Sequence, residues 1–195
     1  NNAVVTKGLG FLRRQQRADG SWPIDTDLST WVTTLSIKAM GQQLPVCFPD
    51  DDREKLKLHL KFIQYKAVHP FNLAQPGGWG WTNYPGSVPD VDDTSGAILA
   101  LLELYQANRH DEDPIINGCR WLIGLQNSDG GFPTFCKGWG RLPFDSSCAD
   151  LTGHAMLALA KSLAVVGQQM PQGLKNAIHK SLSDAFNYLS KHQHN

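Results

Sequence analysis

Apolar residues recur at three- and four-residue spacing between Ala97 and Tyr105. Ala97, Leu101 and Leu104 fall on one line; Ile98, Leu102 and Tyr105 fall on the next. That period belongs to a buried helix. The run opens with an acid and a Thr, in DVDDTSGAILALLELY from Asp90. Two other segments have the same form: DTDLSTWVTTLSIKAM from Asp25 and ADLTGHAMLALAKSL from Ala149. Asp and Thr ahead of an apolar run suit a helix N-cap. The spacing predicts three helices of one kind.

A second kind of segment precedes each of them. KGLGFLRRQQRADGSW covers Lys7 to Trp22, and NGCRWLIGLQNSDGGF covers Asn117 to Phe132. Both run Gly, aromatic, aliphatic, Gln, Gly, aromatic in the same register. A degenerate copy, KFIQYKAVHPFNLAQPGGW, has its Gln-and-turn half stretched before Gly77 and Trp79. A fourth begins at FNYLSKHQHN, with Tyr188, Leu189 and Gln193 in phase. The repeating unit is an outer helix, a Gly-rich turn and an inner helix, about 55 residues long. Units start near residues 3, 51, 113 and 171, within a single piece spanning 1–195. No Val/Ile/Thr run bounded by turns predicts a confident strand, so the fold class is all-α. The stretch from turn aromatic to helix Thr lengthens along the chain: Trp22 to Thr30, Trp79 to Thr94, Phe132 to Thr152. Insertions at one fixed site decorate one end of an assembly. Gln16 and Gln126 are expected to bond backbone at neighbouring helix ends, with Trp22 and Phe132 covering them.

Composition narrows the classes. Lys+Arg and Asp+Glu both total 18, which removes the basic face that a nucleic-acid binder needs. Cys47, Cys119, Cys136 and Cys148 form no CxxC pair and read as reduced thiols of a cytoplasmic protein. NNAVVTKGLG has no basic segment followed by a long apolar one, so no signal peptide is expected. No run of about 18 apolar residues is visible, so no membrane-spanning helix is expected; peripheral attachment stays open.

Candidate chemistry sits in PDVDDT. Asp90, Asp92 and Asp93 lie between an aromatic, Gly-rich loop and a strongly apolar helix. Neighbouring carboxylates and an apolar wall push a pKa up, so one of the three would hold a proton near neutral pH. Once that proton leaves, the helix dipole and the free N–H groups at the helix start would stabilise the anion. A single cap needs one carboxylate, not three.

These segments resemble the QW motifs of squalene-hopene cyclases and related class II terpenoid cyclases. PDVDDT resembles their DxDDT acid motif; LQNSDGGF and ADLTGHAMLAL resemble the segments C-terminal to that motif, in the same order. The resemblance covers nearly the whole chain. It implies an α/α toroid, of which this sequence supplies about three and a half helix pairs out of six, as a piece of a longer protein. It implies that Asp92 is the Brønsted acid that protonates a terminal alkene, with Asp90 and Asp93 beside it. It implies a polyprenyl or triterpene substrate, peripheral membrane contact in the parent, and no metal or cofactor. Family members that protonate squalene use a loop His to hydrogen-bond the acid. The matching loop here, GFPTFCKGWGRLPFDSSC, has none, and His154 lies beyond it inside the inner helix. Aromatic faces for a carbocation would come from Trp31, Trp79, Trp81, Tyr84 and Trp139. Half a toroid leaves apolar edges open, so this chain alone is expected to self-associate and to show no cyclisation of its own.

Other readings stand beside that one. A catalytically inactive toroid acting as a binding or structural module keeps the same repeats. A zinc-dependent prenyltransferase-like protein would use Asp145, Cys148 and His154. PDDDRE, from Pro49 to Glu54, reads either as a diphosphate-metal motif or, better, as the charged opening of a surface helix. His192 and His194 fit a frayed terminus.

Overall fold

A computed structural model of the chain describes residues 2–21, 27–106, 111–136 and 142–193. Helix α1 (Ala3–Gln15) is followed by α2 (Ser29–Met40), the single turn α3 (Leu44–Cys47) and α4 (Asp50–Ile63). Then come α5 (Val91–Glu103), α6 (Asp113–Leu125), α7 (Ala149–Val166) and α8 (Gln172–His192). The chain is all-α, an incomplete α/α toroid. α5 packs on α2 at one side and α7 at the other, forming an inner layer. α4, α6 and α8 form the outer layer, α6 touching α5, α7 and α8.

The apolar patterns explain the layering. α5 is flanked on both sides, and from Asp93 to Leu101 every residue is buried. α6 buries Ile115, Ile116, Cys119, Leu122 and Leu125, the three- and four-residue stripe of a one-sided helix. α1 buries nothing and leaves Val4, Leu9 and Phe11 exposed. Lys57 of α4 is also buried, and the charge is tolerable because Asp111 and Glu54 both pair with it.

The Gln of each unit joins outer helices to the turn. Gln126 Nε2 donates to Gly130 O at 2.7 Å and to Ser181 O of α8 at 3.0 Å. Gln64 Nε2 donates to Gly77 O at 2.8 Å and to Pro114 O of α6 at 2.9 Å. Gln16 Nε2 bonds Gly20 O at 3.0 Å. Phe132 is fully buried; Trp22 lies outside the described residues. Two turn glycines are required by geometry. Gly77 and Gly130 have φ of 117° and 94°, a region that L side chains avoid. A Cβ on Gly77 would also stand 2.7 Å from Asn117 O, and one on Gly130 would collide with Asp184 O.

A Thr at the start of each inner helix ties the turn down. Thr94 Oγ1 accepts from Trp79 N at 3.0 Å, and Thr152 Oγ1 from Phe132 N at 2.9 Å. One small sheet escapes the sequence pattern: Phe132–Pro133 pairs antiparallel with Ser147–Cys148. Two residues per strand are too few to show alternation. α7 also corrects an expectation. Its 18 residues reach a mean hydropathy of 1.2, enough in length and composition to cross a membrane. It nonetheless carries Asp150, His154 and Lys161 and packs between α5 and α8 as an inner helix.

Candidate active site

The three acids of PDVDDT have three different surroundings. Asp90 is the N-cap of α5: its extended backbone lets Oδ1 accept from Asp93 N at 2.8 Å. Its own N–H donates to Trp79 O at 3.0 Å, and Val91 N donates to Phe135 O at 3.0 Å. The helix start is thus held between the Gly-rich turn and the 132–136 segment. Asp90 and Asp93 are 2% and 4% exposed. The side chain of Asp92 is 39% exposed. Adjacent residues on a helix point about 100° apart, so burying Asp93 in the layer turns Asp92 out of it.

Both oxygens of Asp92 are held. His154 Nδ1 lies 2.8 Å from Oδ1, and Trp31 Nε1 donates to Oδ2 at 3.0 Å. A carboxylate can only accept, so His154 donates through Nδ1. Trp31 comes from α2 and His154 from α7, so all three inner helices meet at this carboxyl. The donors hold Asp92 below the ordinary carboxylate range, the His154 hydrogen bond contributing most and partial burial opposing it. The run of acids in the sequence predicts a raised pKa on Asp92. Here the upward shift falls on its neighbours. Burial pushes Asp93 up to about 6, with the Asp92 charge adding to it. Burial, then the Asp93 charge, raises Asp90 well above its usual value.

A cavity of about 600 Å³ opens onto the acids. Its walls are Leu28, Trp31, Phe71, Asn72, Trp81, Val88, Phe135, Cys136 and Phe144, with Asp90, Asp92 and Asp93 on one side. Of the aromatic candidates from sequence, Trp31 and Trp81 line it. Trp79 is fully buried in the core, donating Nε1 to Leu60 O at 2.8 Å. Tyr84 is 60% exposed, and Trp139 lies outside the described residues, as do Asp25 and His194. Phe71, Phe135 and Phe144 carried no sequence signal, because each sits in an irregular loop. His154 could have been found. Asp92 lies two residues before its unit Thr94, His154 two after Thr152, and Trp31 one after Thr30. All three therefore stand at the same level of the inner ring.

The remaining candidates lie elsewhere. Asp145 caps a local turn through Leu142 N at 2.9 Å, Cys148 donates to Asp150, and His154 is committed to Asp92. Among the described residues no three His, Cys, Asp or Glu are grouped to hold a metal ion. Asp50, Asp51 and Asp52 open α4 at the surface, where Arg53 and Lys55 pair with Asp50 and Asp52. His192 Nδ1 is 2.8 Å from Tyr188 O, within the last turn of α8. All four cysteines are free.

Residues 31–195 match the model of the squalene-hopene cyclase C-terminal domain. Among curated proteins, the enfumafungin synthase efuA of Hormonema carpetanum is 28% identical over 97% of this chain and 16% of its own length. A squalene–hopene cyclase of Alicyclobacillus acidocaldarius is 28% identical over 69% of this chain and 21% of its own. The squalene-tetrahymanol cyclase THC1 of Tetrahymena thermophila is 33% identical over 73% of this chain and 21% of its own. The chain spans about a fifth of the length of these relatives.

Proposed function

The chain belongs to the squalene-hopene cyclase C-terminal domain family, and on that premise we propose that it carries the acid that starts a class II polyene cyclisation, with Asp92 as proton donor. The observation that carries this reading is the division of labour among the acids. Asp92 alone of the three combines an open face toward the cavity with a donor on each oxygen. A carbon base is weak, so its proton donor must be a strong acid, one whose anion is well stabilised. His154 and Trp31 provide that stabilisation at the atoms where the charge develops. Asp90 and Asp93 are too buried to reach a substrate; they keep a proton next to Asp92 in the pH range where a lone carboxyl would have lost it.

In the proposed step the π electrons of a terminal alkene take the Asp92 proton. An O–H bond breaks, a C–H bond forms, and a tertiary carbocation remains. Trp31, Trp81, Phe135 and Phe144 offer π faces to that cation. The apolar walls keep water away from it. The names of two relatives record squalene as what they act on, and a squalene-like apolar polyene is the proposed substrate class here.

The test is Asp92→Asn in the full-length gene product, assayed on squalene. Turnover should fall by roughly 10²–10⁴-fold or more, with the melting temperature nearly unchanged because the side chain is partly exposed. An active Asp92→Asn enzyme, with turnover lost instead from Asp25→Asn, would move the chemistry elsewhere.

A further inference from the structure

A second pocket, of about 320 Å³, lies against the acid cavity. Arg120, Trp121, Gly124 and Leu125 of the outer helix α6 form one wall, and the 72–76 segment forms the other. Asn72 and Cys136 are the two residues that line both spaces. They touch: Asn72 Nδ2 donates to Cys136 Sγ at 3.1 Å. We propose that this outer pocket is a water port, closed by the Asn72–Cys136 contact, through which the acid cluster regains its proton after each turnover. The inference rests on the reading of Asp92 as the donor.

The chemistry requires such a route. When Asp92 protonates an alkene, the carboxylate keeps the O–H electron pair. The final cation later releases a different proton to water, giving hydronium. Reloading is the reverse transfer: hydronium donates to the carboxylate cluster, an O–H bond forms, and water is left. A substrate body that fills the acid cavity blocks that side. The outer pocket reaches the same wall from behind, beside α6. Cys136 follows Phe135, whose carbonyl holds the first N–H of α5, so the partition stands next to the capping Asp90.

The partition is built to open. Sulfur is a weak acceptor, so breaking the amide–thiol bond costs little. Leu73 has φ 56°, a strained value for a non-glycine residue. Phe71 and Leu73, on either side of Asn72, are each 70% exposed and pack on little. The loop's base is firm by contrast. His69 Nε2 is 2.9 Å from Ser87 O, and His69 N donates to Ala74 O at 2.9 Å. Asn72 can therefore swing without unravelling the turn. The pocket's polar groups, Arg120, Gln75 and Asn72, suit water better than a hydrocarbon chain.

Gly124 offers a clean plug. A Cβ there meets nothing within 4 Å, and Leu is a better helix residue than Gly. In full-length Gly124→Leu, methyl methanethiosulfonate should label Cys136 at least about tenfold more slowly, by peptide mass. With squalene, the first turnover should match wild type while steady-state turnover falls. Undiminished labelling, unchanged steady-state turnover, or equal loss in both kinetic phases would each overturn the port. An active Asp92→Asn enzyme would instead overturn the reading on which it rests.

Discussion

Replacing His154 by Leu removes one hydrogen bond and little else. The side chain sits at 16% exposure, and Leu keeps much of its volume. Nε2 has no hydrogen-bond partner in the structure, so only the 2.8 Å Nδ1 bond to Asp92 Oδ1 is lost. Hydrogen bonds to charged groups contribute about 1.5–3 kcal/mol. Asp92 is 39% exposed, so water replaces part of the lost donor, and about 1–2 kcal/mol is the fitting range. Applied to the anion that forms as the alkene is protonated, this slows the first turnover by roughly 5–30-fold. The same loss must appear without any substrate. Asp92 should titrate at higher pH in His154→Leu, since its largest pKa-lowering contact is gone. Carboxyl-carbon NMR of the full-length protein reads that shift, and rapid-quench cyclisation of squalene reads the rate. His154→Gln, whose amide can donate, should recover part of both. An Asp92 titration unchanged in His154→Leu, or a rate loss that Gln and Leu share equally, would refute the argument.

The buried acids predict a pH effect of opposite sign to the usual carboxylate. Asp93 holds its proton to about pH 6 in the folded chain and to about 4 when unfolded. Its ionisation therefore works against folding as pH rises from about 4 to 6, and the penalty is complete above that window. Asp93→Asn should raise the melting temperature at pH 7.5 and change it little at pH 4; equal shifts at both would be contrary. Gln64→Leu should cost about 2–3 kcal/mol in denaturant unfolding, because it leaves the Gly77 and Pro114 carbonyls unpaired in the interior. Gln16→Leu, on the exposed α1, should cost less than about 0.5 kcal/mol, and similar losses at the two positions would contradict the stapling role.

The three acids and the buried helix behind them were legible because they are local. Helical period, N-cap chemistry and a close run of carboxylates all fit within a dozen residues of one another, as Asp90 to Leu102 shows. The Gln-and-Gly turn was legible for the same reason: Gln126 bonds Gly130, four residues on. Partners across the layer were not. Asp92 meets Trp31 and His154, each about sixty residues away, only because α2 and α7 flank α5 at matching heights. Helix rotation decides which carboxyl faces the cavity, and packing against both neighbours sets that rotation. So the run PDVDDT contains the acid but not the sign of its pKa shift: two donors from other helices lower Asp92, while the interior raises Asp90 and Asp93. Trp79 and Trp81 make the same point in three residues. The backbone pairing of Trp79 with Asp90 sends the first ring into the core, and the second lines the cavity. An aromatic's identity is written in the chain, but its side of the wall is set by the strand-like turn that carries it.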